Sequence, residues 1–353
     1  MTIRADIRSR IDPTLRASGS TTVSFVYPTR NRPDFLREGL TTLGMQQGGS
    51  FEVVVSDNYS DQSRSSERVC QESGIAGLRY LHPARSLSMA ENWEHALSSA
   101  TGEYVAYLGD KMFALPNALW HIEQVAAEKP EIITWVADNY FPASCPDYFG
   151  SGSYVPGQPG SGGSFDPVAE LSRRGVTGRS GNDQPDYSRG KIVFGAFHRD
   201  LVARIMDRFG GLFHVADWGT TGLSPDYTSM ILGLSEARSA VELRAGCVIQ
   251  IHTDISGGML IDRHDAIARA TLPEATWPDL PIPGLYASSH NIVARDYVAL
   301  KEKFDLPFDF DPDVWVRYCE SDINRPERVW SSPEVEAQQK GILAKFIAQT
   351  REG

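Results

Sequence analysis

The run FEVVVSDNYSD, Phe51 to Asp61, carries an apolar stretch straight into Asp57 and Asn58, so a carboxylate stands at the exit of a buried strand. Two further polar stretches follow apolar runs in the same way: PTRNRP, holding Pro28, Thr29, Arg30, Asn31 and Arg32, and GDK, holding Gly109, Asp110 and Lys111. In open α/β sheets ligands bind outside the carboxyl ends of the strands, because loops there converge polar groups while the strands stay buried. The three loops therefore predict one pocket. A carboxylate offers acceptors only, which suits a ligand that brings N–H donors. The plain structural alternative for Asp57 is a turn residue or a helix N-cap.

A parallel sheet is needed to align such loops, and the chain alternates short apolar runs with helical periodicity as βα units do. Strands are expected at Val23 to Tyr27 (ended by Pro28), Phe51 to Val55, Leu78 to Leu81, Tyr104 to Leu108 and Ile132 to Val136. Between them, helices are expected after Pro33 with Phe35, Leu36, Leu40 and Leu43 on one face, at Ser65 to Glu72, at Ser88 to Ala100, and at Asn117 to Ala127. The third of these has Met89, Trp93 and Leu97 as its stripe and Gly102 as its closing glycine. From Pro142 to Arg189 the chain is rich in Gly, Ser and Pro, including GSGSYVPGQPGSGGS. That composition predicts a long loop, either a lid or binding loop or a disordered one. A strand at Lys191 to Phe197, helices at Arg199 to Phe209 and Asp226 to Glu236, and a strand at Val248 to His252 follow. Beyond Ala266 come Pro-rich connections and helices at Asn291 to Phe304 and Glu334 to Thr350, with no motif assignable to chemistry. At the other end, Ile3, Ile7, Ile11 and Leu15 form a helical stripe, better suited to packing on the domain or a second subunit than to a membrane surface.

The apolar stretches fall far short of the roughly 20 residues that span a bilayer, and the first twenty residues lack a secretory apolar core. A net charge of -11 argues against broad nucleic-acid binding, which relies on excess Lys and Arg. Cys70, Cys145, Cys247 and Cys319 are too dispersed for a metal or disulfide framework, so reduced, packed thiols in a cytosolic protein are expected.

VSFVYPTRNRPDFLREGL at 23–40, FEVVVSDNYSDQS at 51–63 and SLSMAENWEHALSSATGEYVAYLGD at 86–110 resemble, in order and spacing, the opening half of the family 2 glycosyltransferases of GT-A fold. The resemblance implies an α/β protein with a Rossmann-like, mostly parallel sheet flanked by helices and a helical C-terminal extension. It divides the chain into a helical arm at 1–20, a nucleotide-sugar-binding half at 21–140, an acceptor-binding half at 141–265 and the extension at 266–353. It places on Asp57 the aspartate that accepts from the uracil imide and on Thr29 the residue beside the base, and a carboxylate does suit the uracil N3–H. Pro28, Asn58 and Gly109 fall in the same nucleotide-binding set. Arg30, Asn31 and Arg32 either face diphosphate oxygens, for which a guanidinium fork is suited, or form a solvated loop. Arg85 and Asn92 stand where the family places residues near the ribose and phosphates, or else are turn and helix-surface residues.

The family's acidic Asp-x-Asp box, which holds Mg²⁺ or Mn²⁺ against the diphosphate, is reduced here to Asp110 followed by Lys111. Three readings follow: a divalent cation held through Asp110 with help from His252, an ammonium that takes over part of the metal's role, or binding without catalysis. GLSPDYTSMILGL at 222–234 resembles the segment that carries the catalytic base, giving Asp226, with Asp217 in VADWGTTG as competitor and a plain N-cap as the structural alternative. His252 and Asp254 are expected toward the same cleft, with Trp218 and residues 148–166 over the acceptor.

The expected activity is transfer of a sugar from a nucleoside diphosphate donor, a UDP-sugar, to an acceptor hydroxyl with inversion. The acceptor is a glycan, a lipid-linked precursor or a small molecule, reached in the cytoplasm or at the inner membrane face, and a homodimer is compatible with the sequence. The rivals are a GT-A protein that binds nucleotide sugars without transfer, and a sugar nucleotidyltransferase, whose Gly-rich loop after the first strand YPTRNRP lacks.

Overall fold

The computed structural model describes residues 22–58, 64–143, 152–177, 188–213, 224–253, 264–272 and 274–352. They divide into two units, one of residues 22–167 with 188–252, the other of 168–177 with 253–352. The expected N-terminal arm, Cys145, Asp217, Trp218 and Asp254 lie outside the described residues.

The first unit is built on strands β1 (Thr22–Thr29), β2 (Ser50–Asp57), β3 (Arg79–Leu81), β4 (Tyr104–Tyr107), β5 (Met112–Ala114), β6 (Ile132–Phe141), β7 (Ser153–Val155), β8 (Gly163–Phe165), β9 (Gly195–His198) and β10 (Ala240–Ile251). They form one mixed sheet in the order β3-β2-β1-β4-β9-β6-β10-β5, with β7 paired to β6 and β8 to β10. The β3-β2-β1-β4 run and the β6-β10 pair are parallel, whereas β9 enters antiparallel between β4 and β6. Helices α1 (Pro33–Leu43), α2 (Ser65–Glu72), α3 (Met89–Leu97), α4 (Ala118–Ala126), α6 (Arg199–Phe209) and α7 (Pro225–Glu236) flank it, whereas α5 (Pro167–Thr177) belongs to the second unit from Val168 on. Val53, Val54 and Val55 of β2 are fully buried, each contributing about 1.5–3 kcal/mol by leaving water.

β1 does not stop at Pro28 but runs through it, Pro28 facing Ser56 and Thr29 facing Asp57 on β2. Val26 accepts from Leu108 N–H on the β4 side at 2.8 Å, and that ladder ends there. Pro28, two residues on, turns its missing N–H to the same vacated side, so nothing is lost. The stripe of α3 also differs: Met89 is 52% exposed, and Ala90, Asn92, Ala96 and Leu97 are the buried positions. Its start is set by a capping box between Ser88 and Glu91. Gly102 is not the closing glycine, since α3 ends at Ser98 in ordinary right-handed geometry. It is required because a Cβ there would come within 2.7 Å of Ser24 N and Thr22 O on β1.

The expected long loop carries regular structure. β7 and β8 both lie in it, and so does α5 (Pro167–Thr177). The anchor is buried Asp138, in the half of β6 beyond the expected end, whose carboxylate accepts from Gly157 N–H at 2.8 Å and from the Tyr154 hydroxyl. Asp138 and Asn139 interrupt the apolar pattern, which is why β6 reads short in sequence. β10 reads short because Glu242 and Arg244 interrupt it, and its pairing with β6 shifts register around Gly246. Glu242 is buried against Arg189 at 3.0 Å. Of the expected strand at 191–197, residues Ile192–Phe194 form a 3-10 turn and only Gly195–His198 pair.

The second unit is helical: α5, α8 (Asp265–Thr271), α9 (Ser289–Phe304), α10 (Pro312–Ile323) and α11 (Pro333–Glu352). α10 was legible as a start signal, since Asp311 caps the N–H groups of Asp313 and Val314 ahead of Pro312, yet its weak apolar pattern hides it. Tyr297, Leu300, Phe308, Trp315 and Cys319 are buried in this unit. Asp322, fully buried, accepts from Ser288 Oγ and His290 Nδ1, each at 2.8 Å.

Candidate functional site

The carboxyl edge of the first unit's sheet gathers the predicted residues. β1 and β2 end side by side, so register alone sets Thr29 against Asp57. Asn58 N–H donates to Thr29 O at 2.8 Å and locks the pair of strand ends. Both side chains are buried, and Asp57 Oδ2 accepts from the Tyr80 hydroxyl at 2.9 Å. Tyr80 was not foreseen. It lies on β3 opposite Val55, and only that parallel pairing brings it to Asp57.

Three other candidates are engaged within the scaffold. The Asn58 carboxamide donates to Leu87 O and accepts from Leu87 N–H, both at 2.8 Å, which fixes the loop before α3. Asn92 accepts from Ser56 Oγ at 2.7 Å and donates to Ser56 O, tying α3 to β2. Arg85 pairs with Glu91 at 2.9 Å on the surface. Asn58 and Asn92 thereby brace the strand ends against the segment before α3 and α3 itself. Arg30 and Asn31 are exposed at the tip of the first loop, Asn31 in the left-handed region at φ 54.

Gly109, Asp110 and Lys111 form a turn from β4 to β5, closed by Met112 N–H on Gly109 O at 2.8 Å. Arg32 Nε lies 3.6 Å from Asp110 Oδ2. Burial pushes the Asp110 carboxyl up to about 6, with Thr29, Arg32 and Lys111 favouring the ionised form and Asp57 opposing it. Next to the turn, Ile251 N–H donates to Lys111 O at 2.7 Å, which brings the end of β10 and His252 alongside. His252 stacks on Phe141 at 4.5 Å, and its Nε2 meets Asn139 Oδ1 at 2.8 Å. Burial, and then the Lys111 charge, press the imidazole down to about 4, so it is neutral.

A divalent cation at this turn would need several hard oxygen ligands. Among the described residues no group of three or more His, Cys, Asp and Glu forms a metal site. Asp110 has a guanidinium beside it and a lysine next in sequence, and the His252 nitrogen on Asn139 is committed. Among the described residues, this donor set does not make up a site for a bound metal.

Because β9 runs antiparallel to β4, the residues just before it also come to the carboxyl edge. Lys191 is there, wholly buried, with Nζ 3.4 Å from Asp226 Oδ2 and 3.8 Å from the Tyr227 ring centre. Asp226 sits in the first turn of α7, and Ser224 occupies the capping position, so Asp226 is not the N-cap. Lys191 gave no signal in sequence, where it is one cation before an apolar run.

The sequence model of Glycosyl transferase family 2 matches residues 24–142. No curated protein matches the chain. Among solved structures, S. aureus TarS 1-349 in complex with UDP-GlcNAc is similar with a TM-score of 0.50 and 12% identity, over 86% of this chain and 80% of that one. TarS 1-349 in complex with UDP gives 0.48 and 13%, over 80% and 72%. The matched residues contain β1 to β6 with the Asp57 and Asp110 loops, so over this part of the sheet the chain is similar to Glycosyl transferase family 2.

Proposed function

We propose that this enzyme moves a sugar from a uridine diphosphate donor to an acceptor hydroxyl with inversion at the anomeric carbon. The observation that carries this is the buried Asp57 carboxylate, set beside Thr29 by strand register and held by Tyr80 at the pocket edge. A buried carboxylate is costly unless donors satisfy it, and the N3–H of uracil is such a donor. TarS, of like fold, binds UDP-GlcNAc.

Asp226 acts as the base. The acceptor oxygen attacks the anomeric carbon, its proton passes to Asp226, and the bond to the diphosphate breaks with its electron pair leaving on UDP. Lys191, 3.4 Å away, aims the Asp226 carboxylate. The competing base, Asp217, lies outside the described residues. No described helix is long and apolar enough to cross a membrane, and the acceptor, a glycan, a lipid-linked precursor or a small molecule, is met in the cytoplasm or at the membrane surface.

The test is incubation with UDP-sugars and analysis of the released UDP and of the product's anomeric configuration by NMR. UDP release with an inverted product supports the proposal. Binding of UTP in preference to UDP, or no turnover above background with any UDP-sugar, refutes it.

A further inference from the structure

We infer that Tyr80, a positioning residue carried on the edge strand β3, sets the base specificity of the site by fixing the Asp57 carboxylate. The inference rests on the uridine diphosphate reading above and deepens it, since it assigns the preference for uracil to a side chain that acts through Asp57.

The placement follows from strand geometry. β3 has three residues and pairs in parallel with β2, Val54 facing Arg79, Val55 facing Tyr80 and Ser56 facing Leu81. Side chains alternate faces along a strand, so Val55 and Asp57 share one face, and Tyr80, in register with Val55, shares it too. The phenol spans the remaining offset, and its hydroxyl donates to Asp57 Oδ2 at 2.9 Å. A three-residue edge strand has few ladder bonds of its own, and an ion pair adds to them: Arg79 Nη2 lies 2.7 Å from Glu52 Oε2. Glu52, on β2, also accepts from Ser24 Oγ on β1 at 2.6 Å and from the Thr101 hydroxyl. Burial opposes its charge, but those bonds and Arg79 hold the Glu52 carboxyl below its ordinary value. β1, β2 and β3 are thereby tied together at the residue next to Tyr80.

The phenol itself is well fixed. Its ring stacks on His82, two residues on and so on the same face, with centroids 6.5 Å apart and planes 8° from parallel. Burial, and then the bond to Asp57 and the charge of that carboxylate, push the Tyr80 phenol up, so its hydroxyl keeps its proton and donates. A carboxylate held by this bond presents an acceptor to the nucleobase. It meets the N3–H of uracil and opposes the N3 lone pair of cytosine.

The test is calorimetric titration of the full chain with UDP and with CDP, in wild type, Tyr80→Phe, Asp57→Ala and the double variant, with a thermal melt of each to show that the fold persists. Tyr80→Phe should bind UDP about 3- to 10-fold more weakly and CDP nearly as before, so the preference for UDP falls by that factor. In the Asp57→Ala background the same change should alter UDP affinity by less than about 2-fold, because the group through which Tyr80 acts is gone. In transfer assays Tyr80→Phe should raise KM for the UDP-sugar and keep kcat, as loss of a contact made equally in ground and transition states does. A Tyr80→Phe variant with the wild-type preference for UDP over CDP overturns the inference. So does a loss of UDP affinity that is the same with and without Asp57, which would put Tyr80 on the nucleotide itself. A wild type that binds UDP no better than CDP overturns the uridine reading, and this inference with it.

Discussion

Replacing Asp57 by Asn changes the hydrogen-bonding sense of the pocket edge without changing its shape. The side chain is 1% exposed and its Oδ2 accepts from Tyr80 at 2.9 Å, a bond that the amide oxygen of Asn preserves. The other end of the group becomes an NH₂ donor. It then meets the N3–H of uracil donor to donor, whereas the N3 of cytosine is an acceptor. Losing a bond to a charged acceptor costs about 1.5–3 kcal/mol, so UDP should bind about 10- to 150-fold more weakly. CDP should lose little or gain, and the UDP-to-CDP preference should collapse. The assay is a pair of calorimetric titrations on wild type and Asp57→Asn, with a thermal melt showing that the fold persists. An Asp57→Asn enzyme that keeps the wild-type UDP affinity and the wild-type preference over CDP would refute the placement of the base at Asp57.

Further outcomes follow from other contacts. Gly102→Ala should lower stability by about 1–3 kcal/mol in a denaturant melt, because its Cβ would press on backbone of β1 at 2.7 Å. Asp226→Asn should abolish transfer while leaving UDP binding intact. It should also destabilise the fold by about 2 kcal/mol, since it removes a charge partner of wholly buried Lys191. Adding Lys191→Met to Asp226→Asn should recover part of that loss but none of the activity, as a double-mutant cycle would read out. For Asp322, burial opposes ionisation, but hydrogen bonds and charge from His290, with Ser288, outweigh it and press the carboxyl from 3.8 down to about 2. A carboxyl depressed on folding contributes stability that is present above its unfolded value near 3.8 and lost as pH falls toward 2. About 2 kcal/mol should vanish across that window, and Asp322→Asn should flatten it in pH-dependent melts.

Local chemistry in the sequence determined the βα alternation, the helices at Ser65–Glu72 and Arg199–Phe209 to the residue, and the polar strand exits at Thr29, Asp57 and Asp110. Those features depend on periodicity, caps and apolar runs within a few residues, which a chain carries wherever it folds. The gathering of those exits followed from the general rule for parallel sheets. What tertiary structure alone decided is which buried polar groups satisfy each other. His252 and Asn139 meet across 113 residues, and β6 and β10 continue past their apolar runs because such partners wait for their polar positions. The stretch from Pro142 looked too poor in apolar surface to order, yet Asp138 offers a carboxylate to Tyr154 and Gly157, and added pairing holds β7 and β8. Lys191 reaches Asp226 only because β9 inserts antiparallel beside β4. A charge can be buried only where another element supplies its counter-charge, and no local pattern records which element that will be.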